Sequence, residues 1–228
     1  MNRRAVLGGL AGLAAAGAAQ AGDDDGVSPI ATGVLADNVI AKVFRASPVD
    51  TLPDLRLDTP NGAFQIAEVL QGRTVLMPVF AEWCVPCLVE MPDFARLQQA
   101  YGNENFAILP VLSWPRKQMT PLAIGTLFQA LHAGIFTPMT EQRFGGNLAR
   151  RMARSGNTLS LPCNLLIDPK GRVVAREMGL ASNGVTPAKD ANDPYGRAEK
   201  AAAGQTQSLW GTPAGDAFAK ALAGGFLN

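Results

Sequence analysis

Two cysteines three residues apart, in Ala81-Glu82-Trp83-Cys84-Val85-Pro86-Cys87, carry the clearest chemistry in the chain. They stand where an apolar run ends and helical spacing begins, so the first sulfur is expected at a helix N-terminus. Unpaired backbone N–H groups and the positive end of the helix dipole favour a thiolate there. Cys84 is the expected nucleophile. Cys87, one turn further on the same face, is the expected resolving thiol, placed to attack a mixed disulfide at Cys84 and release the product. The competing reading, half of a zinc site, lacks a second Cys-x-x-Cys or a His pair to complete four ligands. The spacing also lets the two sulfurs bond without backbone movement, so a Cys84–Cys87 disulfide with Cys163 reduced is the expected resting state.

Three further residues bear on this pair. Glu90 follows Cys87 by three positions, shares its helical face and can exchange a proton with it; the alternative is a solvated surface carboxylate. Cys163 directly follows Leu161-Pro162. It is a buried thiol behaving as a small hydrophobe, a third redox thiol, or the third soft ligand of a Cys84, Cys87, Cys163 site for Cu(I) or zinc. His132, the only histidine, lies late in a helical stretch and reads as a surface residue rather than a ligand.

The elements that must position these residues follow from periodicity. Leu55-Arg56-Leu57, the Asn61-Gly62 turn signal and Ala63 to Ile66 read as a hairpin. Thr74 to Phe80 has no polar alternation, the pattern of a central parallel strand covered on both faces. Pro78 inside it cannot donate to a ladder and predicts an edge or a bulge. Val85, Leu88, Met91, Phe94 and Leu97 space a helix that ends at Tyr101-Gly102, with Pro92 a potential kink. Phe106 to Leu112 is a second buried strand, Thr120-Pro121 opens another helix, and residues 145–155 hold a short one. A strand from Asn164 to Asp168, the turn Pro169-Lys170-Gly171 and a strand from Arg172 to Met178 form a closing hairpin. Residues 181–213 are polar and rich in Gly and Pro apart from a potential short helix at 195–203, and Ala214 to Leu222 closes the chain as a helix.

At the other end, residues 1–21 run from Arg3 and Arg4 through a short apolar stretch to Ala19-Gln20-Ala21, the pattern of a cleaved signal peptide rather than a spanning helix. Export by the general secretory or the twin-arginine route is expected, leaving no stable membrane anchor. Residues 22–52, with three consecutive aspartates, read as a leader that packs loosely or docks late, and 53–228 as the folded domain. The 228 residues carry 20 basic and 19 acidic side chains, 47% hydrophobic and 17% charged residues. That balance fits one globular domain with embellishments and excludes the basic excess of a nucleic-acid binder.

Trp83-Cys84-Val85-Pro86-Cys87 with Glu90-Met91-Pro92 behind it, and Leu161-Pro162 followed by Leu165-Leu166-Ile167-Asp168-Pro169-Lys170-Gly171, resemble the thioredoxin superfamily. Within it the resemblance is to the exported TlpA-like and ResA-like thiol-disulfide oxidoreductases, over about residues 53–180 and the closing helix. It implies a thioredoxin-like α/β fold: a central mixed sheet flanked by helices, with an N-terminal hairpin and a C-terminal helix. It also implies a cis Leu161-Pro162 bond that presents backbone to a substrate peptide, Trp83 shielding the disulfide, and a role in activity for Glu90. Pro78 stands where thioredoxins often keep a buried acid, and Leu88 where relatives usually have a basic residue. The implied activity is a periplasmic or otherwise exported protein-disulfide reductase without a cofactor, of the cytochrome c or copper-site maturation type. Its partners are protein thiol or disulfide substrates and an upstream thiol electron donor. The alternative is a thiolate-based copper-binding or delivery protein on the same fold.

Overall fold

The computed structural model describes residues 27–70, 72–141, 147–155, 158–178 and 208–227. The expected signal peptide at 1–21, most of 181–213 and its short helix at 195–203 lie outside the described residues.

The N-terminal stretch supplies α1 (Val39–Val43), capped by the Asn38 side chain, which accepts from the backbone N–H of Ile40 and Ala41. Next come the hairpin strands β1 (Arg56–Thr59) and β2 (Gly62–Gln65) and a short helix α2 (Ile66–Leu70). The hairpin closes on the pair Thr59↔Gly62, where Gly62 takes φ +115°, a conformation L side chains rarely adopt. The buried strand β3 (Thr74–Phe80) leads into α3 (Val85–Tyr101), which runs through Pro92 as one element. β4 (Phe106–Ile108), β5 (Val111–Leu112), α4 (Pro121–Ala130), β6 (Thr140–Glu141) and α5 (Asn147–Met152) follow. The chain continues with the two-residue strands β7 (Arg154–Ser155) and β8 (Thr158–Leu159), then β9 (Cys163–Ile167), β10 (Val173–Met178) and α6 (Pro213–Ala223).

The main sheet runs β10-β9-β3-β5-β6-β1-β2, with β4 also against β3. β3 is parallel to β4 and β5 and antiparallel to β9, so the sheet is mixed and β3 lies inside it. The strand is thus central, as expected, and Pro78, a misfit by its missing donor, marks no edge. Leu109 N–H donates to the Leu76 carbonyl and Ser113 N–H to that of Phe80, so even-numbered residues of β3 turn their backbone groups toward β4 and β5. The N–H that Pro78 lacks would point at the gap between those two strands, around Leu109-Pro110. The buried strand expected over 106–112 is split there for the same reason.

Side chains alternate across the sheet. Leu76 and Phe80 face α3, α4 and α6, whereas Val75, Met77 and Val79 face a second core with α5 and the hairpin. On β9 the division separates Leu166 from Cys163, Leu165 and Ile167. That alternation decides which residues of β9 can reach the cysteine helix.

Of the two readings of the leader, residues 27–52 follow the docked one. Ile30, Leu35, Ile40, Ala41 and Phe44 are buried in the α3 and α6 core. Phe44 stacks on Phe218 at 5.4 Å and meets Trp210 edge-on at 6.4 Å. Beyond α1, Arg45 exchanges two 2.8 Å backbone hydrogen bonds with Arg176, and Val173 N–H donates to the Asp50 carbonyl at 2.7 Å. This stretch thus covers the outer edge of β10, which an exposed strand edge requires. Its apolar residues are spread over turns and one five-residue helix, so no period announces them. Phe44→Ala should lower stability by about 3–5 kcal/mol through the cavity left between Trp210 and Phe218. Urea unfolding would show a lower midpoint with an unchanged slope, and an unshifted midpoint would contradict this packing.

Candidate functional site

The buried strand β3 ends at Phe80, and Ala81-Glu82-Trp83 carries the chain to Cys84 at the start of α3. Cys84 is the N-cap in extended conformation, and its sulfur accepts a hydrogen bond from Cys87 N–H at 3.4 Å. Pro86 sits in the first turn, where a missing N–H removes no helical bond. Cys84 and Cys87 form a disulfide with Cα atoms 5.3 Å apart. Cys84 keeps 4% exposure and Cys87 none, so Cys84 is the member of the pair nearer the surface.

Trp83, next to Cys84 in the chain, is half-buried against the core that holds both cysteines. Its indole N–H donates to the Trp114 carbonyl at 3.0 Å, and the two rings meet edge-on at 5.6 Å. Trp114 holds φ +62°, an uncommon backbone state for a bulky residue, and so aims its carbonyl at the Trp83 indole. The Arg116 guanidinium lies 5.3 Å from the centre of a Trp83 ring, and Arg116 N–H donates to Glu82 Oε1 at 2.8 Å. Trp83 is thereby fixed from Trp114 and Arg116, two residues the sequence did not single out for this role.

The Leu161-Pro162 bond is cis. Val79 and Cys163 are cross-strand partners in the antiparallel pair, so Leu161 and Pro162 continue beside the end of β3 that leads to Cys84. Leu161 is half-buried and Pro162 buried. The structure therefore gathers Trp83, Cys84, Cys87, Leu161 and Pro162 at one end of the sheet.

Glu90 lies deeper and is not a solvated surface residue, being 1% exposed on the sheet-facing side of α3. Asn164 on β9 and Glu177 on β10, both buried, complete its surroundings. Asn164 Nδ2 donates to Glu177 Oε2 at 2.7 Å and to Glu90 Oε2 at 3.4 Å. Burial raises the Glu90 carboxyl well above its ordinary range, and the Glu177 carboxylate adds to this; the Asn164 amide and the Trp210 indole pull the other way. Strand alternation was the signal that placed Asn164 and Glu177 on this face.

Cys163 belongs to the opposite face. It is free, fully buried in the α5 core, and its thiol donates to the Met152 carbonyl at 3.6 Å. Burial pushes this thiol up to about 12, so it stays protonated at neutral pH. The three-cysteine metal site is thereby corrected: the period of two along β9 turns Cys163 away from Cys84 and Cys87. Among the described residues no three His, Cys, Asp or Glu side chains are grouped to hold a metal ion. His132 is exposed in the turn after α4. Among the described residues no helix is long and apolar enough to cross a membrane.

The profile of the Redoxin family matches residues 48–193. The chain is 30% identical over 130 residues to the thiol:disulfide interchange protein HelX of Rhodobacter capsulatus, covering 56% of this chain and 65% of that one. It is 31% identical over 75 residues to the thiol-disulfide oxidoreductase ResA of Oceanobacillus iheyensis, covering 33% and 38%. A third relative, the thioredoxin-like protein YneN of Bacillus subtilis, is 36% identical over 52 residues, covering 23% and 31%. The chain thus spans less than two thirds of the length of each of these three relatives. Among solved structures, a putative thiol:disulfide interchange protein DsbE from Chlorobium tepidum aligns with a TM-score of 0.46 and 21% identity, over 68% of this chain and 96% of that one. The exposed lipoprotein thioredoxin Etrx1 of Streptococcus pneumoniae aligns at 0.44 and 21%, over 56% and 90%.

Proposed function

The chain belongs to the Redoxin family, within the thioredoxin superfamily and of the TlpA-like and ResA-like kind, and from this we propose that it is an exported protein-disulfide reductase. The observation that carries the reading is the Cys84–Cys87 disulfide at the first turn of α3, with Cys84 the less deeply buried of the two. In the reduced protein the Cys84 thiolate attacks a substrate disulfide. Cys87 then attacks the mixed disulfide, and the substrate leaves with two thiols while Cys84 and Cys87 pair. An upstream thiol donor restores the dithiol.

Leu161 and Pro162 offer backbone to the substrate peptide beside the disulfide, and Trp83, held by Trp114 and Arg116, limits the approach to Cys84. Glu90 serves the proton of Cys87 from one helical turn below. Residues 1–21, read as a signal peptide, support export to the periplasm or an equivalent compartment. Substrates there are protein cysteines that must be free before a cytochrome c haem or a copper site is assembled.

The test is turnover. With a small dithiol as donor, catalytic amounts of the protein should speed reduction of a disulfide-bonded protein well above the donor alone. No acceleration at any substrate concentration would refute the assignment.

A further inference from the structure

Three adjacent strands place Pro78, Asn164 and Glu177 in one row across the sheet, as successive cross-strand partners. The row lies under α3, where Glu90 descends to meet it. Asn164 links Glu177 to Glu90 through the two bonds of its amide nitrogen, while Glu90 Oε1 and Asn164 Oδ1 are buried without a hydrogen-bond partner among the described residues. Two buried carboxyls this close repel each other when both are ionised, so in the oxidised protein one of them keeps a proton, and in the reduced protein the same repulsion favours the proton's return. The amide bond to Glu177 is the shorter, which marks Glu177 as the charged member and Glu90 as the protonated one.

We propose that Glu177, acting through Asn164, makes Glu90 the holder of a proton that passes between Glu90 and the Cys87 sulfur as the disulfide opens and closes. This rests on thiol exchange at Cys84 and Cys87. When a donor thiolate attacks Cys84 Sγ, the S–S bond breaks and its electron pair leaves on Cys87 Sγ. Glu90 gives its proton to that sulfur, leaving a Cys87 thiol and a Glu90 carboxylate. In the return step the proton goes back to Glu90 as Cys87 Sγ attacks the Cys84 sulfur of a mixed disulfide. The Cys84–Cys87 bond forms, and the substrate sulfur departs with the electron pair.

Glu177 is a positioning residue: its charge raises the proton affinity of Glu90 toward that of a thiol, where transfer in both directions is easiest. The other groups acting on Glu90 are Asn164 on β9, the Trp210 indole and Asp93 on α3, and none is a cation. Arg176, next to Glu177 on β10, points through the sheet and donates to the carbonyls of Met152 and Arg154. Asp93 is itself raised, first by burial, and is held by the Ser208 hydroxyl at 2.5 Å.

Carbon-13 NMR of the glutamate carboxyls in the oxidised protein tests the pair without any activity. In the unmodified chain one of the two should remain protonated at neutral pH, and Glu177→Gln should lower the Glu90 midpoint by about one pH unit or more. Two carboxyls both ionised at neutral pH, or a Glu90 midpoint unmoved in Glu177→Gln, would overturn the pairing, and the first of these needs no variant. The proton's destination is read from the pH profile of the step in which Cys87 resolves a mixed disulfide on Cys84. Its midpoint should move down with Glu177→Gln, and a profile that stays in place overturns the relay. A chain with no thiol exchange at all would instead refute the reductase reading, leaving the carboxyl titration to decide the pair.

Discussion

Cys87→Ser should accumulate a stable mixed disulfide with its substrate through Cys84, while Cys84→Ser should accumulate almost none and reduce protein disulfides no faster than background. The asymmetry follows from the start of α3. Cys84, the N-cap, receives the Cys87 N–H and the positive end of a 17-residue helix, both of which favour its thiolate. Cys87 lies inside the first turn with no exposed surface, so its sulfur reaches Cys84 but not an external disulfide. Non-reducing electrophoresis and mass spectrometry of each variant after exposure to a disulfide-bonded protein would display the difference. Equal trapping by the two variants would show that the assignment of attacking and resolving sulfurs is wrong.

The site was legible wherever a short motif fixes geometry by itself. Cys-x-x-Cys after an unbroken apolar strand specifies a helix start, a nucleophile and its partner with no tertiary information. The hairpin at 55–66 and the closing helix were equally plain, because each is a periodic run bounded by Gly, Pro or Asn, while the mixed sheet followed from the resemblance. Features that depend on distant strands were less plain. Cys163 reads as a neighbour of Cys84 because it follows the proline loop, yet one residue of strand alternation sends it to the other core. The same alternation brings in Asn164 and Glu177. Pro78 reads as an edge signal because sequence does not reveal that its missing donor would face a break in the partner strand. The docking of 27–52 was less plain for another reason: its anchors, Phe44 above all, are separated by irregular turns, and their partners Trp210 and Phe218 lie more than 160 positions away.

The proposed direction of electron flow is the central claim and rests on how little beyond the helix start stabilises a thiolate. Strong oxidants in this superfamily owe their potential to a reduced form stabilised by an acidic cysteine. Here neither Val85 nor Pro86 brings a positive charge between the cysteines, Pro86 has no N–H to offer the Cys84 sulfur, and Leu88 follows where a basic residue would help. On the inner side the Glu177 carboxylate, linked to Glu90 through Asn164, adds negative rather than positive charge. In the proposed reductase the dithiol form is the less favoured one, and the pair is expected to give its electrons up readily. Equilibration of the protein with glutathione buffers of graded ratio, reading the Cys84–Cys87 disulfide by thiol labelling, measures this directly. The expected potential is near the roughly −270 mV of thioredoxin, whereas a value above about −160 mV, toward the roughly −120 mV of strong oxidants, would contradict a reductase.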